Sequence, residues 1–456
     1  MADLPLSALT DDEKLIVARL ERSIRTDEPR LELMEQYRDA EQRVQHIGMA
    51  VPPELRIFEA TINVPGMAVR EVVSRQELRG FVRTGEGEKP DASLAEAREY
   101  NNIDSQQILA HKDCRTFGRA FVSVSTNEED AEHPLICVEP TRGMGVLVDR
   151  RHRRLSAALR TFADDERKRH GTLYLPDSTI KMSRGRNGWQ VTERDDHGLG
   201  KLALVMMLNS PSAGDFSGRS EMADIISKVD AISRTLTNMQ VAAEIAAIPS
   251  NVIFGVSEDD FTDRDGKPIP TWEAYWTKLK AITNEKGHVE QLTAADLKNF
   301  TVMVDRMLVW CAIELGLPTR YAGMDTTNPA SEGAVVADEF RLIKRVETAN
   351  ALDGDAWAWV MSLYEEIRTG EPQPRNGIRA LWHNPATPTY SQRADAVMKL
   401  RSQKLLSVQG AWDELGWSEE RKARELQYLQ AEANDPLLSM AADLLNGSTG
   451  VAASVG

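Results

Sequence analysis

Apolar residues in the middle of the chain recur in alternating steps of four and three. The positions are Ile225, Val229, Ile232, Leu236, Met239, Ala243 and Ala246. This spacing keeps one stripe of a long helix facing a partner, as in a heptad seam. Gly214 and Gly218 precede the stripe, and Pro249 ends it because proline cannot continue a helix. The pattern predicts a helix over 214–248, which is either an ordinary amphipathic core helix or a long helix in a packed bundle.

Helical spacing also marks the first part of the chain. Asp11 and Asp12 stand in the first turn of the first predicted helix, where carboxylates suit the helix dipole. The segment VPPELR at 51–56 breaks the pattern, and Gly118 ends it. The predicted helices cover 11–25, the residues after Pro29, 58–77 and 93–117.

After Gly118 the apolar residues form short β-branched runs bounded by Pro, Gly and Asn, which is typical of strands. The runs cover 121–125, 135–140, 145–149, 155–162, 172–176, 178–183, 189–194 and 201–209. A strand-rich region that follows a helical base predicts an α+β fold rather than alternating strands and helices.

The later part of the chain returns to helices after a polar, turn-rich insert. The insert predicts a strand at 251–256, a turn at 260–270 and a short helix at 271–282. A second long helix is predicted over 293–315 and a third from about 333 to 369. The second helix carries its own apolar stripe, formed by Leu297, Phe300, Val304, Met307, Cys311 and Leu315.

Composition excludes several classes of protein. With 456 residues, 41% of them hydrophobic and 27% charged, the chain has the material for two or three packed globular units. It lacks the roughly 18 consecutive apolar residues of a membrane span and the basic, apolar start of a signal peptide. Cys114, Cys137 and Cys311 have no CxxC spacing, so a reduced environment is expected.

The net charge of −15 argues against tight, sequence-independent binding of nucleic acid. Such binding needs clustered Lys and Arg against the phosphates. The charge leaves open a surface past which nucleic acid slides without sticking.

Candidate chemistry is sparse. No GxxxxGK[ST] loop is present, and no GxGxxG follows a strand, so nucleotide binding has no motif support. Asp263 and Asp265 resemble part of a calcium-binding loop, but the terminal Glu of such a loop is missing. We therefore interpret these residues as part of a turn. His111, Asp113 and Cys114 lie on one predicted helix without a third partner. They indicate a core or surface cluster rather than a nucleophilic pair.

Two short segments concentrate basic residues. They are DRRHRR at 149–154 and the run 167–169. Such runs are usually solvated strand ends, and a contact with DNA is the alternative. The tryptophans at 310, 357 and 359 favour packing over a stacking platform for bases.

Several segments spread along the chain indicate a family when they are taken together, although no single segment is specific for it. They are VPPELR (51–56), CRTFGRAFVSVS (114–125), VEPTRGMGVLVDRR (138–151), LYLPD (173–177), GRSEMADIISKVDAISRTLTNMQVAAEIAAIP (218–249), ELGLPTRYAGMDTTNPASEGAV (314–335) and YSQRADAVMKL (390–400). In this order the chain resembles a portal protein of tailed bacteriophages, of the type found in long-tailed actinobacterial phages. It departs from the family pattern at 152–155 and 204–218.

The resemblance implies a portal-type subunit with an α/β wing, long stem helices, a small clip and a C-terminal helical crown, assembling as a ring. The implied divisions are 1–213 for the wing (helical base plus β-rich unit), 214–248 for the first stem helix, 249–292 for the clip, 293–316 for the second stem helix, 317–332 for the channel loop, 333–387 for a long inner helix and wing return, 388–446 for the helical crown and 447–456 for a disordered tail.

Three groups of residues are expected to act within that scheme. Stem packing is assigned to Ile225, Val229, Ile232, Leu236 and Met239. Contacts of the clip are assigned to Trp272, Tyr275 and Trp276. The channel loop is assigned Arg320, Met324, Asp325, Thr326, Thr327 and Asn328.

The resemblance implies a structural protein at one capsid vertex, through which viral double-stranded DNA is packaged and ejected. The expected partners are identical subunits in a ring, typically a dodecamer, the DNA, the terminase large subunit, the head–tail adaptor, and the major capsid and scaffolding proteins. No catalytic residue, cofactor, metal or membrane is expected. The protein would act in the virion after assembly in the host cytoplasm. The alternatives are a phage enzyme that processes nucleic acid and a capsid-associated adaptor without a channel.

Overall fold

The computed structural model describes the chain in ten stretches. They are 8–43, 60–85, 91–186, 188–247, 251–254, 288–291, 297–323, 332–374, 376–386 and 390–434. The chain divides into two compact units, residues 1–385 and 386–456. The helices described in the first unit are α1 Asp11–Asp39, α2 Val64–Val73, α3 Ala92–Tyr100, α4 Ile103–Phe117, α5 Ile226–Ala247, α6 Lys298–Leu315 and α7 Glu332–Thr369. Those described in the second unit are α8 Tyr390–Ser402, α9 Val408–Glu414 and α10 Glu419–Asn434.

The described strands all pair antiparallel. They are β1 Leu78–Arg83, β2 Arg119–Ser125, β3 Leu135–Glu139, β4 Met144–Asp149, β5 Arg154–Ala163, β6 Arg169–Tyr174, β7 Thr179–Gly185, β8 Gly188–Asp195, β9 Leu204–Leu208, β10 Asn251–Phe254, β11 His288–Gln291 and β12 Ile378–Trp382. Strands β4 to β8 form a five-stranded meander, and β3, β2 and β9 form a three-stranded sheet in that order. Strand β1 pairs with β12, and β10 pairs with β11. The chain is therefore a mixed helix and sheet protein, as predicted.

Helix α1 runs through Pro29, so the predicted break there is wrong. Thr10 caps its start in a capping box with Glu13. An internal proline costs about 3 kcal/mol because it removes one hydrogen bond and crowds the preceding turn. Leu20, before the proline, packs on the meander, whereas Leu31, after it, packs near the end of α4. Burial of both halves offsets the cost.

The predicted helix over 93–117 is two helices, α3 and α4. Asn102 between them has a φ of 49°, in the left-handed region that ends helices. The side chain of Asn101 accepts a hydrogen bond from the backbone N–H of Ile136 at 2.8 Å, and Gln106 accepts one from Val138 at 3.1 Å. The break therefore lets amide side chains cover the outer edge of β3, where backbone donors would otherwise lack partners.

The cores of the first unit lie in layers. Helix α1 packs on one face of the meander, and the other face packs on β2 and β9. The far side of the three-stranded sheet packs on α4 and the second half of α7, including the fully buried Trp357. A separate core joins α2, α5, α6 and the first half of α7. Helix α7 therefore belongs both to the sheet core and to the helix core.

The segment before α5 crosses the end of α4 as turns, so α5 begins at Ile226 rather than near Gly214. Its path is held by two backbone hydrogen bonds, from the N–H of Asn209 to the carbonyl of Gly118 at 2.8 Å and from the N–H of Arg219 to the carbonyl of Asn209 at 2.9 Å. A Cβ on Gly218 would lie 1.9 Å from the Gly118 oxygen. Only glycine permits this approach of two backbones.

A buried ion pair lies where the sheet core and the helix core meet. Arg115 of α4 donates to Asp353 of α7 and to Asn209, and the Arg115 and Asp353 side chains are 1% and 0% exposed. Gln76 adds a hydrogen bond to Asp353 at 2.8 Å. Asn209 in turn donates to Glu221 at 2.7 Å. The network ties α4, α7 and the segment before α5 together.

His111 lies beside this pair as a neutral core residue. Burial lowers its pKa to about 4, although Asp353 acts in the opposite direction. The indole N–H of Trp357 donates to Nε2 of His111 at 3.0 Å, which requires the unprotonated nitrogen there. Cys114 on the same helix is buried, and its pKa is raised by burial, so the thiol stays protonated. The interpretation of His111, Asp113 and Cys114 as a core or surface cluster agrees with the burial of His111 and Cys114, whereas Asp113 is half-buried.

We expect Asp353→Ala to lower the free energy of unfolding by about 3–5 kcal/mol, because it leaves the guanidinium of Arg115 buried without its carboxylate. Denaturant unfolding followed by circular dichroism measures the loss. Asp355→Ala, on the exposed face of the same helix, is the control and should change stability by less than about 0.5 kcal/mol. Equal losses for the two variants would contradict a special role of the buried pair.

Candidate functional site: the paired helices and their loop

Helices α5 and α6 pack side by side and form the region to which the sequence assigns the stem. Ile225, directly before α5, and Ile232 within α5 are fully buried, and Leu236 is half-buried against the same core. An ion pair joins the helices at 2.8 Å, from Lys228 of α5 to Glu314 of α6. The stripe of α5 is thus most deeply buried near its start and becomes more exposed towards its end.

The other two assigned stem residues follow the same gradient. Val229 is fully buried near the start of α5, and Met239 is half-buried further along. The hydroxyl of Tyr37 in α1 donates to Asp230 at 2.6 Å, which also fixes the first half of the helix. The first half of α5 is therefore held by the fold of one chain.

Helix α6 presents a second apolar stripe that the sequence analysis missed. Its inner stripe, which includes Val304, Met307, Cys311 and Leu315, is buried against α5 and α7. On the outer face of α6 stand Met303, Trp310 and Ile313, which are 53%, 51% and 47% exposed. Val302 is 68% exposed beside them. The sequence signal was the second set of three- and four-residue steps, 303, 306, 310 and 313.

Trp310 therefore does not pack with the other tryptophans, and its assignment to internal packing is wrong for the single chain. Trp357 is fully buried, and the Lys201 ammonium lies 4.8 Å from the ring centroid of the half-buried Trp359. Trp310 instead stands on the outer face of α6. A large aromatic residue left half-exposed among other apolar residues is typical of a contact surface.

The start of the loop after α6 is fixed by charged and aromatic side chains. Residues Thr319–Ala322 form a short 3-10 helix that ends at Gly323. Arg320 forms an ion pair with Glu339 of α7. Tyr321 donates to the same carboxylate at 3.3 Å and accepts from Arg75 at 3.1 Å. The positive charge of Arg320 is thus offset by a carboxylate within the chain.

Other assigned residues lie outside the described part of the chain. These are the channel-loop residues Met324, Asp325, Thr326, Thr327 and Asn328, the clip residues Trp272, Tyr275 and Trp276, and the turn residues Asp263 and Asp265. Of the assigned clip, the structure describes the two-stranded sheet of β10 and β11, in which Asn251 pairs with Gln291.

The basic segments are connections of the meander, as the sequence favoured. DRRHRR at 149–154 covers the turn between β4 and β5, and 167–169 leads from the next turn into β6.

Among the described residues no group of three or more His, Cys, Asp or Glu side chains could hold a metal ion. None of the described helices has the length and apolar content needed to cross a membrane.

Comparison with known proteins gives the class of this protein. Residues 79–436 match the family described as "Phage portal protein, SPP1 Gp6-like". The chain belongs to this family of phage portal proteins, so the resemblance inferred from sequence is confirmed. A portal protein forms part of the capsid vertex.

Two curated relatives are named portal proteins. That of Mycobacterium phage L5 is 32% identical over 410 residues, which cover 87% of this chain and 84% of the relative. The portal protein of Mycobacterium phage D29 is 32% identical over 395 residues, which cover 84% of this chain and 81% of the relative. The expectation of an actinobacterial phage type agrees with both names.

Similar solved structures come from a gene transfer agent. The neck of the empty particle, solved with C6 symmetry, has a TM-score of 0.47 and 14% identity over 82% of this chain and 93% of that one. The neck of the native particle, solved with C12 symmetry, has a TM-score of 0.45 and 12% identity over 82% of this chain and 92% of that one.

We expect Ile232→Ala to lower the free energy of unfolding by about 2–5 kcal/mol, because it leaves a cavity in the helix core. Leu236→Ala removes a half-buried side chain four residues later and is the matched comparison. Urea unfolding of dilute protein should show the larger loss for Ile232→Ala. The reverse order would contradict the gradient of burial along α5.

Proposed function

We propose that this portal protein assembles into a closed ring, with the exposed stripe of α6 as the surface that binds the neighbouring subunit. The observation that carries the proposal is that α6 has two apolar stripes, of which the described part of the chain covers only the inner one. A ring formed by rotation joins two different patches of the same subunit. Trp310 would then enter a pocket on the neighbour and be the main anchor.

The composition of the exposed stripe of α6 supports a specific contact between subunits rather than non-specific hydrophobic association. Met303, Trp310 and Ile313 recur at seam spacing, and Arg306 occupies the remaining position. Aromatic, Met and Arg side chains are enriched at protein interfaces. An ion pair from Arg306 across the interface would help to fix the register between subunits.

The proposed function of the ring is to conduct viral double-stranded DNA during packaging and ejection. The net charge of −15 supports passage without strong retention, because few counterions would be released from the DNA. The pairing of Arg320 with Glu339 supports the same conclusion at the start of the proposed channel loop, 317–332. The loop would meet phosphate mainly with neutral and acidic groups.

The remaining partners follow from the same proposal. The terminase large subunit would dock at the clip, 249–292, and the head–tail adaptor would replace it after packaging. Trp272, Tyr275 and Trp276 are the proposed apolar anchors there. The major capsid and scaffolding proteins would contact the wing during assembly in the host cytoplasm.

We expect Trp310→Asp to prevent ring formation while leaving the subunit folded, because the side chain is half-exposed in one chain but would be buried between two. Size-exclusion chromatography with light scattering should give a large discrete ring for the unsubstituted protein and a monomer for the variant. Circular dichroism should be unchanged.

Leu15→Asp, at a side chain of α1 that is 55% exposed, is the matched control and should still form rings. Normal rings with Trp310→Asp would contradict the proposed interface. Loss of rings in both variants would show that any added surface charge disrupts assembly, and the stripe would then have no special role.

A second expectation concerns the channel loop. Replacing Asp325 and Thr326 together by Arg should leave the ring intact but slow packaging or retain DNA, because each added arginine can bind a phosphate. A packaging assay with the variant rings measures the length of DNA protected from nuclease. Unchanged packaging and ejection would contradict the assignment of this loop to the channel wall.

A further inference from the structure

The turn between β4 and β5 is a compact, well-held structure that displays arginines. We call residues 149–154 the arginine turn. Asp149 accepts hydrogen bonds from the backbone N–H groups of Arg151 and His152 at 3.0 and 3.1 Å, and its other oxygen lies 2.6 Å from Nδ1 of His152. Arg153 has a φ of 52°, which closes the turn before β5. The single carboxylate of the segment is thus used to shape the backbone.

The four arginines of the arginine turn are exposed and form no ion pair with a described carboxylate. Within the described part of the chain, no carboxylate oxygen lies within 4.0 Å of Arg150, Arg151, Arg153 or Arg154. Some half-exposed arginines elsewhere in the fold, such as Arg320, are paired with carboxylates, but what distinguishes the arginine turn is that four arginines lie within six residues. On a chain of net charge −15, a turn with four arginines and one aspartate is a distinct local excess of positive charge.

The next turn of the meander shows that the fold itself does not require this charge. Asp164 accepts from the N–H of Lys168 at 2.8 Å and contacts His170 at 2.8 Å, and Arg167 has a φ of 61°. The turn therefore uses the same local geometry. Its three acidic residues, 164–166, balance its three basic residues, 167–169. Because β5 separates the two turns, they lie at opposite ends of the sheet.

We propose that the arginine turn binds the phosphate backbone of duplex DNA outside the channel. One guanidinium group can donate hydrogen bonds to two phosphate oxygens at once, and it is more weakly hydrated than an ammonium group. Arginine therefore suits this contact better than lysine. Four of them on one short hairpin release counterions from the DNA when they bind. Duplex DNA is chosen over other polyanions because the proposed function brings it to this protein, and the inference rests on that function to this extent.

Acidic groups share a cleft with two of the four arginines but not with the other two. Arg153 and Arg154 line a cleft of about 1410 Å³ together with several carboxylates, including Glu128, Glu193 and Asp195, whereas Arg150 and Arg151 are not among its described lining residues. At the same end of the sheet, Asp177 lies in the turn between β6 and β7, on the far side of β5 from Arg150 and Arg151. The acidic end of β8 at 195–196 lies three strands from β5, about 14 Å at ordinary strand spacing, which exceeds the Debye length of about 8 Å at physiological salt. Arg150 and Arg151 should therefore bind phosphate first.

The test uses the whole purified protein and a small covalently closed circular duplex labelled with a fluorophore. A closed circle cannot thread through a channel, so its binding reports outer surfaces only. Anisotropy is measured at several KCl concentrations for three proteins. They are the unsubstituted chain, the double variant Arg150→Glu with Arg151→Glu, and the control Lys168→Glu with Arg169→Glu, which changes the net charge equally in the balanced turn.

We expect the arginine-turn variant to bind the circle at least about ten-fold more weakly and to reduce the slope of log affinity against log salt by about 1.8, for two lost phosphate contacts. The control should bind within about two-fold of the unsubstituted protein. The variant Arg150→Gln with Arg151→Gln, which removes charge without reversing it, should give an intermediate loss.

The inference would be overturned by equal weakening in both charge-reversal variants, by no weakening in either, or by tighter binding of polyglutamate than of DNA to the arginine turn. The last would make the turn a docking site for an acidic protein. Light scattering on the same samples tests ring formation separately. Intact rings without binding of the circle would refute this inference alone, and binding without rings would count against the proposed function alone.

Discussion

The ion pair between Arg115 and Asp353 is the interaction on which the arrangement of the first unit depends. Both side chains are almost completely buried, so each needs the other to offset the cost of leaving water. Arg115 belongs to the helix that packs on the three-stranded sheet, and Asp353 lies midway along α7, between its two cores. Because Asn209 and Glu221 extend the network, the segment that leads into α5 is positioned by the same charges. The sheet layers and the paired helices are thereby held in one arrangement.

Much of the local structure follows from the sequence because it is encoded locally. The strands of the meander are β-branched runs between turn residues, and their positions agree with the prediction to within a few residues. The continuation of α1 through Pro29 and the break at Asn102 were not predictable, because both depend on contacts with distant residues. The partner of Arg115 was equally hidden, since Asp353 has no local pattern that marks it as buried.

The same limit applies to the candidate site. The buried stripe of α5 was found because it repeats over several turns, whereas the outer stripe of α6 interleaves with the inner one. A single sequence cannot tell which of two interleaved stripes is covered by the chain and which is left exposed. Val304 and Met303 are adjacent, yet one is 7% exposed and the other 53%. A helix that serves two partners therefore needs the three-dimensional packing before its second role is visible.

The close approach of Gly118 and Gly218 restricts how the sheet layers can move relative to the helices. A Cβ at Gly118 would lie 2.8 Å from the nitrogen of Arg219, so the two peptide units are in direct contact with no side chain as a spacer. Sliding one backbone along the other would force carbonyl and amide groups past each other and break the hydrogen bonds of Asn209. The contact therefore acts together with α7, which spans both cores, to prevent shear between the end of α4 and the segment that leads into α5.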